Sequence, residues 1–299
     1  MHRRGLALIA GIAGIAALAM AQGQGRGQAA PFVTHQLKPN VYWVEGGGGN
    51  SGVIVGKNGV IVIDAKTSAA GGKELLDDIA KITPKPVTAV ILTHSDGDHV
   101  NGLVSFPAGV RVIAHENNKK ELEKALAAGG RGAPPADHLP TQVVTKNKES
   151  LKIEGVNLEL YHWAPAHTSG DLVVYLPAEK IVFTGDIIAA QMPDPLIHLE
   201  KNGSSEGWIT TAKGIVALDC DQYVPGHGDL QSKAMVQARL ANAEAKRAKI
   251  QELVKQGKSL DEVRAAVDPP PATPVAGRGG RGGGFASYTQ VVYTELTKQ

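Results

Sequence analysis

The sequence has little cysteine and almost no excess of one charge. A single cysteine, Cys220, excludes an intramolecular disulfide and a structural zinc site built from several thiolates. Thirty-one Lys and Arg against 29 Asp and Glu leave a net charge of +2, too balanced for a protein that binds nucleic acid through its overall charge. The hydrophobic fraction of 42% is ordinary for a globular chain, so wholesale disorder is excluded as well. What the chain binds must therefore be inferred from local sites.

Long apolar runs are also absent beyond the first 20 residues. Residues 6–20 are apolar, but this run of about 15 residues is shorter than the roughly 20 that a membrane-spanning helix needs. It follows the basic residues Arg3 and Arg4 and ends in the small-x-small pattern of residues 19–21. These features predict a signal peptide over residues 1–21 and an exported protein, periplasmic or secreted, without membrane association after cleavage. An uncleaved anchor is the alternative.

The remaining chain reads as a flexible Gly-rich linker over residues 22–30 and one domain over 31–299. Short runs rich in β-branched residues alternate with turns, including an Asn-Gly hairpin signal at residues 58–59. A second β-rich block begins near Gln142, and both blocks are followed by helical patterns. This order predicts two β-sheets packed face to face with helices outside. Residues 269–284 predict a Gly/Pro-rich excursion before a short final helix over 288–296.

Metal-ligand residue types are concentrated where one apolar strand pattern ends. The strand predicted over residues 87–93 is followed at once by His94, Asp96, Asp98 and His99. A loop at the end of a strand can direct several side chains to one point. Any one of these residues alone is typical of a polar turn, but four within six positions indicate a binding site.

Three further residues of these types follow later strand patterns. They are His167, Asp186 after Thr184-Gly185, and His227 within a Gly-His-Gly sequence. Each histidine alone is as compatible with a structural role as with a ligand role. The combined set is rich in imidazole and carboxylate and free of thiolate, which suits Zn²⁺ or a harder divalent ion.

Taken together, these motifs resemble the metallo-β-lactamase-fold hydrolase superfamily over roughly residues 31–239. Residues 50–52 and Asp64 are similar to the opening hairpin and the strand-end Asp of that family. The resemblance implies an α/β (α+β) four-layer αββα sandwich, in which two mixed β-sheets pack face to face with helices outside. It also implies two metal ions in a cleft at one edge of the sheets.

The resemblance further implies a role for each site residue. Six side chains would hold the two ions, with His94 and His167 in the first site, Asp98, His99 and His227 in the second, and Asp186 bridging them. Asp98 is also assigned a catalytic role. The expected cofactors are two divalent ions, with zinc as the first choice and manganese or iron as alternatives. A metal-bound hydroxide would act as the nucleophile, so no Ser or Cys is required.

Asp96 departs from the family pattern, which has a second histidine at this position. We hypothesise that Asp96 still ligates the first metal, through oxygen; in the alternative, Asp96 points away and only the second site fills. Two divalent ions with three aspartates leave a formal charge of +1, where the usual site leaves +2. The lower charge favours harder ions such as Mn²⁺ or Fe²⁺.

The remaining histidines carry weaker signals. His138 lies in a Gly/Pro-rich loop of the kind that often covers a cleft, so a substrate contact is one interpretation. His115 is expected to cap the next helix, His162 to pack beside Trp163, and His35 and His198 lie outside any motif.

The predicted function is an exported metal-dependent hydrolase that cleaves an ester, thioester, lactone or lactam bond of a small molecule. β-Lactamase-like antibiotic hydrolysis is one alternative, and a metal-binding module with a weakened site, motivated by Asp96, is another. A di-iron redox protein is a third, although such enzymes usually have a flavin partner or domain. The balanced charge argues against a nucleic-acid substrate. The natural substrate, the metal in the cell and the oligomeric state are not indicated by the sequence.

Overall fold

The computed structural model describes residues 32–129, 134–268 and 285–298. The predicted signal peptide, the linker over residues 22–30 and the excursion over 269–284 lie outside the described residues. Within the described residues, no helix is both long enough and apolar enough to cross a membrane.

The first sheet has seven strands arranged in chain order. They are β1 (Val33–Lys38), β2 (Val41–Glu45), β3 (Ser51–Val55), β4 (Val60–Ile63), β5 (Val87–Ile91), β6 (Arg111–His115) and β7 (Gln142–Val144). β1 to β4 form antiparallel pairs, whereas β4 to β7 are parallel. The turn at Asn58-Gly59 joins the antiparallel pair β3–β4, as the hairpin signal predicts.

The second sheet has five strands and is also mixed. Its members are β8 (Lys148–Ile153), β9 (Val156–Tyr161), β10 (Val173–Leu176), β11 (Ile181–Phe183) and β12 (Gln222–Val224), in the order β12-β11-β10-β9-β8. Only β11 and β12 are parallel.

Seven α-helices occur in the described part of the chain. They are α1 (Ala69–Ile82), α2 (Gly97–Val100), α3 (Glu116–Ala127), α4 (Ser205–Ala217), α5 (Lys233–Lys255), α6 (Leu260–Val267) and α7 (Tyr288–Thr297). Five of them begin after a serine whose side chain accepts a backbone N–H of the first turn, the preferred N-cap arrangement: Ser68, Ser204, Ser232, Ser259 and Ser287.

Alternating side chains of each sheet fill separate apolar layers. In β4, Ile61 and Ile63 point into a core shared with the second sheet, while Val60 and Val62 pack towards α1 and α3. The second sheet alternates in the same way, and its outer face packs against α4, α5, α6 and α7. Each fully buried Val, Leu, Ile or Phe side chain in these layers contributes about 1.5–3 kcal/mol. The predicted αββα sandwich of two face-to-face mixed sheets is confirmed.

The boundary between the two β-rich blocks was predicted wrongly. Gln142 does not open the second sheet, because β7 pairs in parallel with β6, opposing Val143 to Ala114. The second sheet therefore begins at Lys148. Edge strand β1 and helix α6 were not predicted either. α6 begins beyond Gly257, which has a φ of 76° and separates it from α5.

Candidate metal centre

All seven predicted metal ligands lie in segments that directly follow strands. His94, Asp96, Asp98 and His99 follow β5, with the last two on the single turn of α2. His167 lies between β9 and β10, Asp186 follows β11, and His227 follows β12. Since β5 belongs to the first sheet and the other strands to the second, the loops of the two sheets meet at this edge of the sandwich.

The three residues predicted for the second site lie close to one another and to Asp186. His227 Nε2 is 3.1 Å from Asp98 Oδ2 and 3.3 Å from Asp186 Oδ2. His99 Nε2 lies 3.2 Å from Asp186 Oδ1 and 3.4 Å from His227 Nε2. Single donor atoms of Asp98, His99 and His227 lie within 4.8 Å of one another, close enough to hold one cation.

The residues of the first site lie on the other side of Asp186. Donor atoms of His94, His167 and Asp186 also lie within 4.8 Å of one another. His167 Nε2 is 3.9 Å from Asp186 Oδ2, the oxygen that also faces His227. Asp186 thus contacts histidines of both groups, which is the position that a bridging carboxylate requires.

Asp96 points inward with one oxygen and is paired through the other. Its Oδ2 is 3.1 Å from His167 Nε2 and 3.7 Å from His94 Nε2, and its Oδ1 accepts a hydrogen bond of 2.5 Å from Lys201 Nζ. The carboxylate therefore faces the imidazoles of the first group through Oδ2, and its ligation of a metal stays a prediction.

Two residues of this region were missed by the sequence reasoning. His198 Nε2 lies 3.2 Å from Asp96 Oδ2, and Lys201 contacts Asp96 and Ser95. Both are carried by the segment 196–203, which lies between Asp186 and α4. No short-range spacing links these residues to the other ligand types, so the sequence contains no signal for them beyond their residue types.

The histidine rings are held by hydrogen bonds behind the site. Asp64 accepts from His99 Nδ1 at 2.7 Å and from Thr93 Oγ1 at 2.7 Å. Because the Thr93 hydroxyl donates to Asp64, it can accept from His94 Nδ1 at 2.9 Å. Each ring then presents Nε2 to the site, and this outer support is typical of metal-ligating histidines.

The opening hairpin supports the loop of His227. Asn50 donates from Nδ2 to the carbonyls of Pro225 and Gly228, each at 2.9 Å. Gly226 lies between them, packed so closely on Asp186 that a Cβ at this position would be 1.9 Å from Asp186 Oδ1.

The electrostatics of the site favour cations. Burial alone would lower the pKa of His167 and His227, but Asp96, Asp98 and Asp186 outweigh it and raise both pKa values to about 9. Burial would raise the pKa of Asp96, yet His94, His167 and His198 hold it well below its usual range. A site that stabilises positive charge on buried imidazoles will also stabilise metal ions, which replace those protons on binding.

The side chains fit a metal for a second reason. His94 Nε2, His198 Nε2 and Asp186 Oδ1 are buried and have no hydrogen-bond partner of acceptable geometry among the described residues. Leaving a buried polar atom unpaired costs about 1–3 kcal/mol. Imidazole nitrogens and carboxylate oxygens converging in this way satisfy the donor preferences of Zn²⁺, and also of Mn²⁺ and Fe²⁺.

Other sequence candidates lie apart from these contacts. His138 is buried, with Nε2 3.1 Å from the carbonyl of Phe106 and Nδ1 2.8 Å from Asp137. These bonds give it a packing role, and its contact with a substrate stays a prediction. Burial raises the pKa of the Cys220 thiol to about 11, which argues against a nucleophilic role. His115 caps α3, as expected.

Comparison with known proteins agrees with this arrangement. Residues 44–227 match the family model of the metallo-beta-lactamase superfamily. The chain is 25% identical over 198 residues to the 2,4-dinitroanisole O-demethylase subunit alpha of Nocardioides sp. (66% of this chain, 57% of the relative), and 26% identical over 190 residues to the metallo-beta-lactamase type 2 of Bacillus cereus (62% and 70%).

Among solved structures, the chain resembles the stereoselective inverting sec-alkylsulfatase of Pseudomonas sp., with a TM-score of 0.69 and 19% identity over 89% of this chain and 50% of the other. The chain thus spans about half to three fifths of the length of the demethylase subunit and the sulfatase. Since the family model covers more than half of the sequence and ends at the last of the ligand residues, the chain belongs to the metallo-β-lactamase superfamily.

Proposed function

We propose that this protein is a metal-dependent hydrolase that acts on a small molecule with an ester, thioester, lactone or lactam bond. The observation that carries the proposal is the position of Asp186, whose carboxylate contacts histidines of both ligand groups. Asp96 and Asp98 complete an arrangement suited to two divalent cations, of which zinc is the first choice.

The first cation would be held by His94 and His167 with Asp96, and the second by Asp98, His99 and His227. Bound at these positions, divalent ions lower the pKa of water and polarise the bond to be cleaved.

The protein itself contributes a side chain that can act as a general base. Burial would raise the pKa of Asp98, but His227 and His99 hold it below its usual value, so Asp98 is ionised at neutral pH. Its side chain is 36% exposed, whereas that of Asp186 is 4% exposed. Of these two carboxylates, Asp98 is therefore the one that an incoming water can reach and to which it can pass a proton.

A cavity beside this centre favours an uncharged substrate. It has a volume of about 360 Å³ and begins at Gly228, the residue after His227. Two acidic residues, Glu45 and Asp229, contribute to its wall, together with Gln191, Gln231 and Met235. Because acidic side chains repel anions, a neutral ester or lactone fits this wall better than the carboxylate of a β-lactam or a sulfate ester.

Turnover of a substrate panel by zinc-loaded protein tests the proposal. The panel contains a neutral lactone, a thioester, a cephalosporin and an alkyl sulfate. We expect hydrolysis of the lactone or thioester, and a loss of at least 100-fold in kcat/KM in His227→Ala. The control Lys119→Met, which removes an exposed ion pair with Glu123 on α3, should retain full activity.

A metal-binding module is the second candidate, because Asp96 stands where the family motif that this sequence resembles has a histidine. Its signature is two bound metal ions without turnover of any panel member, together with a gain of turnover in Asp96→His. Preference for the cephalosporin would instead favour a β-lactamase.

Export is the remaining part of the proposal and rests on residues 1–21 alone. Expression of the full chain in a bacterial host, followed by fractionation and N-terminal sequencing, should find mature protein outside the cytoplasm that begins close to residue 22. Retention of residues 1–21 on a membrane-bound product would favour the uncleaved anchor.

A further inference from the structure

Three imidazole rings from three separate loops point at one oxygen atom. Asp96 Oδ2 is 3.1 Å from His167 Nε2, 3.2 Å from His198 Nε2 and 3.7 Å from His94 Nε2. The ring of His167 is central, with centroids 4.7 Å from that of His94 and 4.6 Å from that of His198. His198 is the member that no sequence motif includes.

Only one of these three contacts is a hydrogen bond, the one from His167 Nε2 to Asp96 Oδ2. His198 Nε2 and His94 Nε2 are both buried and close to Asp96, yet neither has a hydrogen bond of acceptable geometry within the described part of the chain. Lys201 already pairs with the other oxygen of Asp96 at 2.5 Å, so neutralising that carboxylate does not require three more imidazoles. The Nε2 atoms of His94 and His198 approach the oxygen without a hydrogen bond to it, which is the arrangement that a shared cation would satisfy.

The far side of each ring is occupied by a protein acceptor. His167 Nδ1 donates to the carbonyl of Leu196 at 2.8 Å, and His198 Nδ1 donates to Glu200 Oε1 at 2.5 Å. A carbonyl and a carboxylate can only accept, so Nδ1 of both rings carries a proton, and in the neutral form of each ring the lone pair is on Nε2. This is the tautomer in which histidine binds a metal.

The backbone fixes His198 against His167. The His198 N–H donates to the carbonyl of His167 at 2.8 Å, and the N–H of Gly203 donates to the carbonyl of His198 at 2.9 Å. Gly203 is packed so closely that a Cβ would lie 2.3 Å from that same His167 carbonyl oxygen. The segment that carries His198 is therefore packed directly against His167, a predicted ligand of the first site.

We infer that His198 is a ligand of the first metal site, together with His94, His167 and Asp96. The family motif provides an imidazole where this chain has Asp96, and His198 supplies an imidazole in its place from a different loop. With Asp186 as the bridging carboxylate, the first site then has three nitrogen donors and two oxygen donors. This inference rests on the metal centre of the proposed function, but it does not depend on which substrate is cleaved.

Metal binding, measured apart from activity, tests the assignment. Apoprotein of the full chain, of His198→Gln and of the control His35→Ala is loaded with Co²⁺ or Zn²⁺. Bound equivalents are counted by elemental analysis, affinities are measured by competition with a chromophoric chelator, and the visible absorption of Co²⁺ reports the donor set. Glutamine keeps a polar side chain of similar size, and circular dichroism checks that each variant is folded.

We expect two equivalents in the wild type and in His35→Ala. In His198→Gln, one of the two affinities should fall by about 100-fold and the Co²⁺ spectrum should change, while the other affinity is unaltered. If the wild type binds only one ion, loss of that ion in His198→Gln supports the assignment.

Two equivalents with wild-type affinity in His198→Gln would overturn the assignment while leaving the metal centre intact. A single ion that responds to His227→Ala and not to His198→Gln would do the same. Failure of the wild type to bind any metal would instead remove the metal centre of the proposed function itself, so the two failures are distinguishable.

Discussion

Asp96 faces different partners with its two carboxylate oxygens, which bears on the hypothesis that it ligates a metal in place of a histidine. Oδ2 faces imidazoles, while Oδ1 accepts from Lys201 Nζ. The extra negative charge that Asp96 brings to the site is offset by the ammonium of Lys201. Counted with Lys201, two divalent ions and three aspartates leave the formal charge at +2, the value of the usual site.

Replacing Lys201 tests this compensation. In Lys201→Met, nothing anchors Asp96 Oδ1, so the carboxylate loses its fixed orientation. Because residues that orient ligands contribute about 10–100-fold to metal affinity, we expect a fall of about 10-fold at the first site and no change at the second. Chelator competition measures both affinities.

Lys119→Met is the matched control for Lys201→Met, since Lys119 forms an exposed ion pair with Glu123 on α3. That pair should contribute little to any property of the site. Equal first-site affinities in the wild type and Lys201→Met would show that Asp96 needs no partner on Oδ1.

At the scale of single elements, the turn after β12 is packed directly on the bridging carboxylate. Gly226 donates its N–H to the carbonyls of Gly185 at 2.8 Å and Ile188 at 3.0 Å. With a Cβ only 1.9 Å from Asp186 Oδ1, any side chain at Gly226 must displace Asp186 or the turn.

Gly226→Ala should therefore disturb both stability and metal binding. We expect a loss of about 1–3 kcal/mol in the free energy of unfolding from overpacking, together with weaker binding at both sites because Asp186 contacts both. Urea denaturation of metal-free protein and elemental analysis give the two values.

Gly257→Ala, after α5, is the control for Gly226→Ala, because it introduces backbone strain without steric crowding. Its Cβ would meet no described atom within 4 Å, and its φ of 76° imposes only the left-handed cost of about 1–2 kcal/mol. Metal content should be normal in Gly257→Ala. Normal metal content in Gly226→Ala as well would contradict the close packing of the turn on Asp186.

Most helices and strands that have a local sequence signal were predicted correctly. The apolar alternation of β4 and the Asn-Gly turn before it identify a hairpin without any tertiary information. The pairing of β7 with β6 was not predictable, because three residues carry no signal for the sheet that they join. α6 was missed because Gly257 ends one helix and the capping box of Ser259 and Glu262 starts another within two residues.

The same division applies to the site. The loop after β5 and the Gly-His-Gly sequence indicate metal ligands, because their His and Asp residues directly follow strand patterns. His198 and Lys201 lie in a loop without a motif. They contact Asp96 because the backbone of their segment is hydrogen-bonded to His167. Such a position depends on tertiary packing and leaves no periodic or spacing pattern in the sequence.

At the scale of the whole molecule, the metal ligands join the two sheets. The loop after β5 belongs to the first sheet, while Asp186 and His227 follow strands of the second. Metal ions bound between them should therefore stabilise the sandwich as a whole. Ligand binding to the folded state alone contributes about 2.7 kcal/mol when the free ligand is at 100 times its Kd.

Removing the metal should accordingly lower Tm. One kcal/mol corresponds to roughly 2–4 °C in domains of this size class, so chelation should lower Tm by about 5 °C or more, reversibly on adding Zn²⁺. Differential scanning calorimetry of the wild type and Asp186→Asn makes the comparison, with a much smaller shift expected in the variant. An unchanged Tm on chelation would mean that the ligand loops hold together without a cation.

A buried lysine outside the ligand set should also control stability. Lys66 is fully buried, and its Nζ donates to the carbonyls of Val44 at 2.7 Å and Gly49 at 2.9 Å. Burial lowers its pKa to about 7 from an ordinary value of 10.5, although Asp64 and Glu45 oppose the shift. Between these two values the unfolded chain binds a proton that the folded protein does not.

The contribution of Lys66 to the free energy of unfolding therefore rises with pH across this interval, because its unfolded form binds more protons there. Below about pH 7, Lys66 is protonated in both states and the cost of burying the charge is fully present. As the pH increases to about 10, we expect the free energy of unfolding of the wild type to gain several kcal/mol relative to Lys66→Met, since each unit of pKa shift corresponds to about 1.4 kcal/mol. Lys57→Met, at an exposed position in the β3–β4 turn, should show no such trend. Urea denaturation of the three proteins between pH 7 and pH 10 measures the differences, and a constant difference between the wild type and Lys66→Met would mean that Lys66 keeps its proton in the folded protein.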